Sequence, residues 1–374
     1  MGAMRTSCAI GSLLLLVGCA SVGQRTEEIA LEATHVIVLD QGGRPAVVMG
    51  DERELFDEAV LAYERGDVLT ARGIYTTLLQ AHPDSKWRDL YAYNRGLVSL
   101  RLEDFREASR DFEAAAAGAR SEADARDARF HQGLAWAGLG QWQAAAQVFE
   151  DLQATEGVAA QRVEQLVRAG VCRQRAYQYD RARAHYREAV QIFEQTTDLY
   201  LQYHPTWAAR AQYQAGDLYA ERFSQVPLML PLDRMRDDLE TKGRLLLHSQ
   251  NAFLKAIRLK DHYWALAAGY RIGQVYEDFY ADLHAAEVPA DLDAEAREVY
   301  FTELKRRVAP LIRRAIEVYR KNLEMGHRVH ADNEWMQKSE AGLKKLEALL
   351  STLPAPEPPS DAGKASGGRG RGAP

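Results

Sequence analysis

The sequence predicts an all-α protein, an α-solenoid of antiparallel helix hairpins closed by a C-terminal capping helix. Three observations predict it. Ala59, Gly96, Gly133 and Gly170 follow one another at intervals of 37 residues. Twelve residues after each stands an alanine (Ala71, Ala108, Ala145, Ala182), and four further on an aromatic (Tyr75, Phe112, Phe149, Tyr186). Downstream, Trp207-Ala208-x-x-Ala211-x-Tyr213-x-x-Gly216-x-x-Tyr219 recurs 57 residues later as Trp264-Ala265-x-x-Ala268-x-Tyr270-x-x-Gly273-x-x-Tyr276. Small residues let two helices approach closely. A fixed period marks a unit that cannot bury its apolar face alone and completes its core by stacking.

Composition agrees. At 374 residues the chain exceeds one ordinary core, which leaves a repeat array or two domains. It is 47% hydrophobic and 27% charged, hence globular. Its formal net charge of -6 and lack of a long basic run argue against a nucleic-acid binder. A mean hydropathy of -0.38, with the only long apolar run at the N-terminus, excludes a polytopic membrane protein. Three cysteines cannot build a disulfide framework.

Taken in order, residues 1–18 read as a signal peptide. Arg5 supplies the positive end and residues 9–17 the apolar run, too short for the roughly 20 residues that span a bilayer. The run ends Leu16-Val17-Gly18-Cys19, which resembles the bacterial lipobox. The resemblance implies cleavage before Cys19 and acylation of Cys19. Ala20 stands where aspartate would retain a lipoprotein at the inner membrane, so an outer-membrane anchor facing the periplasm is implied. Met1-Gly2 also fits a myristoylation start, a reading the adjoining apolar run disfavours. Cys172 lies on an apolar helix face and reads as a buried inert thiol.

Residues 19–50 form the tether. Within it, Val36-Ile37-Val38-Leu39 and Ala46-Val47-Val48-Met49 flank Asp40-Gln41-Gly42-Gly43, the pattern of a short hairpin. Residues 51–194 hold the four regular repeats. Gly66-Asp67 and Leu139-Gly140-Gln141 mark turns between helices, and Pro83 stops the second helix of the first copy. Val68, Phe105, Trp142 and Tyr179 stand three residues before the four alanines. The aromatics are expected to fill the gaps between hairpins.

These segments (59–83, 96–115, 133–152 and 170–189) resemble the tetratricopeptide repeat (TPR), stretched to 37 residues. The leucine usual before the small residue is replaced by Glu58, Arg95, Gln132 or Ala169, and the closing proline is absent from copies two to four. Residues 195–325 then read as two elongated TPR-like hairpins. Their second helices come late, at 252–256 and 315–319, after insertions at about 224–243 and 282–308, of which 293–308 is itself helix-like. Residues 326–351 predict a capping helix begun by Asp332 or Asn333, and the Pro-, Gly- and Ser-rich 352–374 a disordered tail.

No metal, nucleotide or nucleophile motif occurs, so no enzyme, no cofactor and no metal are expected. His327, His330 and Asp332 read as surface residues, and paired carboxylates such as Asp237-Asp238 as a solvated face. The TPR resemblance implies that the fifth, ninth and twelfth repeat positions face a concave groove. Here these are Phe56, Val60 and Tyr63, then Tyr93, Leu97 and Leu100, then Phe130 and Leu134. The Lys and Asn that grip a peptide's terminal carboxylate are absent. An apolar groove suits an amphipathic helix or a hydrophobic strand of a partner. Two other readings stand beside it: these side chains pack between hairpins and expose little, or the chain's own 36–49 segment fills the groove. Leu228, Met229 and Leu230, between Pro227 and Pro231, read either as an exposed partner-binding loop or as a plug over the adjoining hairpin.

The expected function is a scaffold tethered to the membrane through its N-terminal lipid and holding envelope proteins together. No nucleic acid or small-molecule substrate is expected. The plan is similar to pilotin-type TPR lipoproteins that assist secretin assembly and to the TPR lipoprotein of the barrel-assembly machine. Tyr276-Glu277-Asp278-Phe279, Val288-Pro289, Val299-Tyr300 and Asn333-Glu334-Trp335 resemble closing segments of myxobacterial TPR proteins, some of the gliding-motility complex. A regulator of peptidoglycan enzymes is a further reading.

Overall fold

The computed structural model describes residues 35–40, 45–289 and 293–352. The signal peptide, Cys19 and the proposed disordered tail lie outside the described residues. Two strands come first, β1 (His35–Asp40) and β2 (Pro45–Gly50), antiparallel, with Val36 opposite Met49 and Asp40 opposite Pro45. Everything else regular among the described residues is helical, and the fold is the all-α, TPR-like class the period predicts.

The chain forms two compact units. One takes residues up to Glu156 together with Val171–Gln178, and the other takes Gly157–Gly170 together with residues from Tyr179 onward.

The first unit contains α1 (Glu52–Glu64), α2 (Val68–Ala81), α3 (Arg88–Arg101), α4 (Phe105–Gly118), α5 (Glu122–Gly138) and α6 (Trp142–Ala154). Each helix packs on the next, and α3 also meets α5. Local chemistry sets the starts. Asp51 accepts from the Arg53 and Glu54 amides at 3.0 and 2.9 Å, and the Glu54 carboxylate accepts from the Asp51 amide at 3.0 Å. This capping box satisfies donors that α1 would otherwise leave orphaned. Asp67, Asp104 and Ser121 cap α2, α4 and α5 in the same sense. The turn before each second helix needs one left-handed residue. Gly66 (φ 84°) and Gly140 (φ 73°) supply it freely, whereas Glu103 (φ 59°) and Tyr177 (φ 60°) adopt it against their Cβ.

The helix α7 (Ala159–Arg175) is followed by α8 (Tyr179–Gln195), a single turn α9 (Leu199–Tyr203), and four long helices. These are α10 (Thr206–Ser224), α11 (Leu232–Arg258), α12 (His262–Ala285) and α13 (Ala294–Arg328). The last helix, α14 (Glu334–Leu350), starts at Asn333, whose side chain accepts from the Trp335 amide at 3.0 Å. In this second unit α10 packs on α11, α12 on α13 and α13 on α14, while α10 meets α12 and α12 meets α14. Residues 232–243, within the first insertion, are the opening turns of α11, and 294–308, the part of the second insertion read as helix-like, are the opening turns of α13. Nothing in those stretches breaks a helix, so propagation wins over looping out.

The small residues and aromatics meet as pairs. A Cβ built on Gly96 would stand 2.9 Å from the Phe112 ring, on Gly133 3.0 Å from Phe149, and on Gly170 2.5 Å from Tyr186. Gly216 faces Phe253 and Gly273 faces Tyr319 in the same way, although 37 and 46 residues separate them. The expectation that these aromatics fill gaps between hairpins is therefore corrected: each ring lies on the glycine of its own hairpin. The residue three before the alanine does the bridging, since Phe105 presses on Gly138 of the following hairpin. Phe112 serves both purposes, because its ring also stacks on His131 at 5.3 Å.

Candidate functional site

The helices α1, α3 and α5 carry the residues expected to line a groove. Phe56, Val60, Tyr63, Tyr93, Leu97, Phe130 and Leu134 are half-buried, and Leu100 is buried at 4% exposure. Neighbouring helices explain the burial. Phe56 packs on Tyr75 and Tyr91 at 6.1 and 5.8 Å. Tyr93 meets Phe112 at 5.6 Å and His131 at 5.5 Å, and Phe130 meets Phe149 at 5.7 Å. Leu97 and Leu100 share a cluster with Phe105, Ala108, Phe112 and Ala135. One side of the stripe thus belongs to the core, and the other is left to solvent.

Polar groups fix the stripe's edges. The Tyr93 hydroxyl donates to Asp127. Burial and then the Asp127 charge push the Tyr93 phenol far above its ordinary range, so it is a neutral donor at all physiological pH. Arg101 lies 5.2 Å from the Tyr63 ring centroid and donates to the Tyr63 carbonyl at 3.1 Å. Behind the stripe, Arg95 grips Asp111 through two bonds of 2.9 and 2.6 Å. Burial raises the Asp111 carboxyl against the pull of Arg95. Arg173 holds Glu150 through bonds of 2.7 and 2.5 Å. These pairs orient helices and present no reactive group.

The antiparallel hairpin lies with β2 along α1 and β1 along α2. It meets both helices of the first repeat, whereas the expected groove runs along first helices only. In the proline-flanked loop, Leu228 turns inward at 8% exposure and Met229 outward at 38%, while the Leu230 amide donates to Glu287 at 2.8 Å. Met229 is therefore the most exposed of the three, with Leu230 half-buried. Among the described residues no three His, Cys, Asp or Glu side chains are grouped to hold a metal, and no helix is long and apolar enough to cross a membrane.

One cluster escaped the sequence reading. Trp207, Arg210 and Tyr213 from α10 meet Tyr263 and Trp264 from α12 and Trp335 from α14. The repeated Trp-Ala-x-x-Ala-x-Tyr pattern was visible, but Arg210 occupies one of its variable places. Its recurrence, Ala267, carries no charge that would have drawn attention to it.

Residues 127–155, which span the third regular repeat, match the tetratricopeptide repeat family model. No curated protein matches the chain. Among solved structures, a TPR protein from Parabacteroides merdae is 14% identical, with a TM-score of 0.39 over 79% of this chain and 98% of that one. YrrB, described as a TPR protein with an unusual peptide-binding site, is 21% identical over 58% of this chain and 91% of its own, with a TM-score of 0.39. The apo form of RapI is 11% identical, covering 79% and 99%, with a TM-score of 0.43. The TPR fold is typically a non-catalytic protein-interaction scaffold.

Proposed function

We propose that the chain is a lipid-anchored periplasmic scaffold that binds protein partners during assembly of a cell-envelope machine, with gliding motility the machine favoured. The observation that carries the binding role is the stripe on α1, α3 and α5. Phe56, Val60, Tyr63, Tyr93, Leu97, Phe130 and Leu134 each keep part of their surface in water while held rigidly from behind. Pre-set apolar residues on successive helices suit an amphipathic helix or strand, because little side-chain freedom remains to be lost on binding. Leu16-Val17-Gly18-Cys19 at the end of a short apolar run supports the anchor. A single acyl chain binds membranes only marginally, so the multiple acylation of a lipoprotein cysteine is what would hold the scaffold in place.

The test is in-cell crosslinking and pull-down from envelope fractions, comparing the natural chain with Cys19→Ala. Motility-complex subunits recovered only with Cys19 present are the expected result. Secretin subunits would instead make it a pilotin-like factor. The same partners recovered from a soluble Cys19→Ala form would overturn the anchor, and recovery of no protein would overturn the scaffold.

A further inference from the structure

Several inward-facing arginines grip carboxylates. Arg95 has Asp111, Arg173 has Glu150, and Arg271 has Asp217 at 2.6 Å. Arg210 differs: among the described residues it is the arginine with a buried guanidinium nitrogen that lacks an acceptor. That nitrogen is its Nε, and no carboxylate among the described residues pairs with it. What surrounds it is aromatic. Its guanidinium carbon lies 5.0 Å from the Trp207 ring centroid and 5.5 Å from that of Trp264. Two indole faces partly offset the desolvated charge, but they accept none of its N–H bonds. A second cation adds to the demand: Arg168 stands 4.8 Å from the same Trp207 ring, though it donates to Glu164 at 2.8 Å. Burial, then the Arg168 charge, push the Arg210 guanidinium down to about 10. Close by, Trp335 packs 6.4 Å from Tyr213, and its Nε1 is likewise buried without an acceptor.

We propose that Arg210, walled by Trp207 and Trp264, is a pocket for an acidic side chain within a partner protein. The missing acceptor is an anion, because a guanidinium is a fixed cation whose planar fork of donors matches a carboxylate. Arg210, Trp207 and Trp264 all remain half-buried rather than sealed, so an incoming group can reach them. A singly charged carboxylate on an aliphatic stem fits better than a phosphate. The walls are apolar, and Glu164, Asp217 and Glu334 supply negative charge nearby, which penalises a dianion more than a monoanion. This inference rests on the scaffold reading above and names the partner chemistry at one place on the second unit.

The test uses the full chain in detergent, titrated with a terminally blocked peptide of alternating glutamate and leucine. Its glutamine counterpart and inorganic phosphate serve as controls. Binding is read by calorimetry and by tryptophan emission. The glutamate peptide should bind and shift the emission. Affinity should fall by about tenfold for Arg210→Met and for the glutamine peptide, and Arg210→Lys should keep part of it. Without peptide, Arg210→Met should melt higher than the natural chain, because a buried charge without an acceptor is gone. Equal affinity for Arg210→Met, equal affinity for the glutamine peptide, or phosphate binding as tightly as the peptide overturns the pocket. So does an Arg210→Met variant that melts lower while the natural chain ignores the peptide, since that describes a purely structural arginine. If crosslinked partners persist while the pocket fails, the scaffold reading survives; if no partner is captured at all, that reading fails independently.

Discussion

At the scale of single residues, the packing of each hairpin turns on one missing Cβ. Replacing a helical glycine by alanine gains up to about 1 kcal/mol of helix propensity. Forcing a methyl into a filled core costs about 1–3 kcal/mol. The distance to the facing ring decides which wins. At Gly133 the new Cβ would stand 3.0 Å from Phe149, and at Gly273 it would press much deeper into Tyr319. Tyr319 cannot retreat readily, for it is buried, stacked on Tyr270 at 5.9 Å and bonded to Glu277 at 3.3 Å. Gly273→Ala should therefore destabilise by about 2 kcal/mol and Gly133→Ala by well under 1 kcal/mol in chemical denaturation. Equal effects would show that the ring contact does not set the cost. The first repeat shows the tolerated limit, since Ala59 already fills this place opposite Tyr75.

At the scale of elements, the terminal hairpin matters most. The first repeat has no preceding hairpin among the described residues to cover it, and repeat arrays need their ends closed. The β1–β2 pair lies along both helices of that repeat. A two-stranded hairpin has little stability of its own, so the contact with α1 and α2 is what holds it in place. Deleting residues 35–49 should lower the melting temperature by a few degrees, given about 2–4 °C per kcal/mol for a domain of this kind. It should also speed hydrogen exchange in α1 and α2 ahead of α4 and α5. An unchanged melting curve would show that the strands cover nothing.

For the whole molecule, buried phenols dominate the response to alkali. Tyr75, Tyr91 and Tyr93 in the first unit and Tyr213 and Tyr319 in the second all have their ionisation pushed upward, with burial the leading cause in each. A folded pKa above the unfolded one gives stability that is complete below the unfolded value, near pH 10, and is lost as pH rises beyond it. Arg210 acts with the opposite sign, because its pKa is pushed down, but it is one group against five. Thermal stability should be flat to about pH 9 and fall steeply above about pH 10, with helical signal lost over the same range. A melting temperature unchanged up to about pH 11 would mean that burial of these hydroxyls contributes nothing to the alkaline limit.

The helical class and the repeat period were legible in the chain because stacking of like units demands the same small and large residues at the same places. The long second helices were legible at Ala252–Ala256 and Ala315–Tyr319, and so was the helical character of 293–308; the opening turns of α11 were not, since a polar helix extension and a polar loop share one composition. Which aromatic meets which glycine was hidden at Gly216 and Gly273, where the partner lies 37 or 46 residues away rather than 16. Which stripe residues keep a face to water depended on how far each neighbouring helix overlaps them. Tertiary structure alone decided the standing of Arg210. Trp207 on its own helix and Trp264 on α12 bring indole rings to its guanidinium, no carboxylate among the described residues pairs with it, and a missing partner is a property of the assembled surroundings that no local pattern encodes.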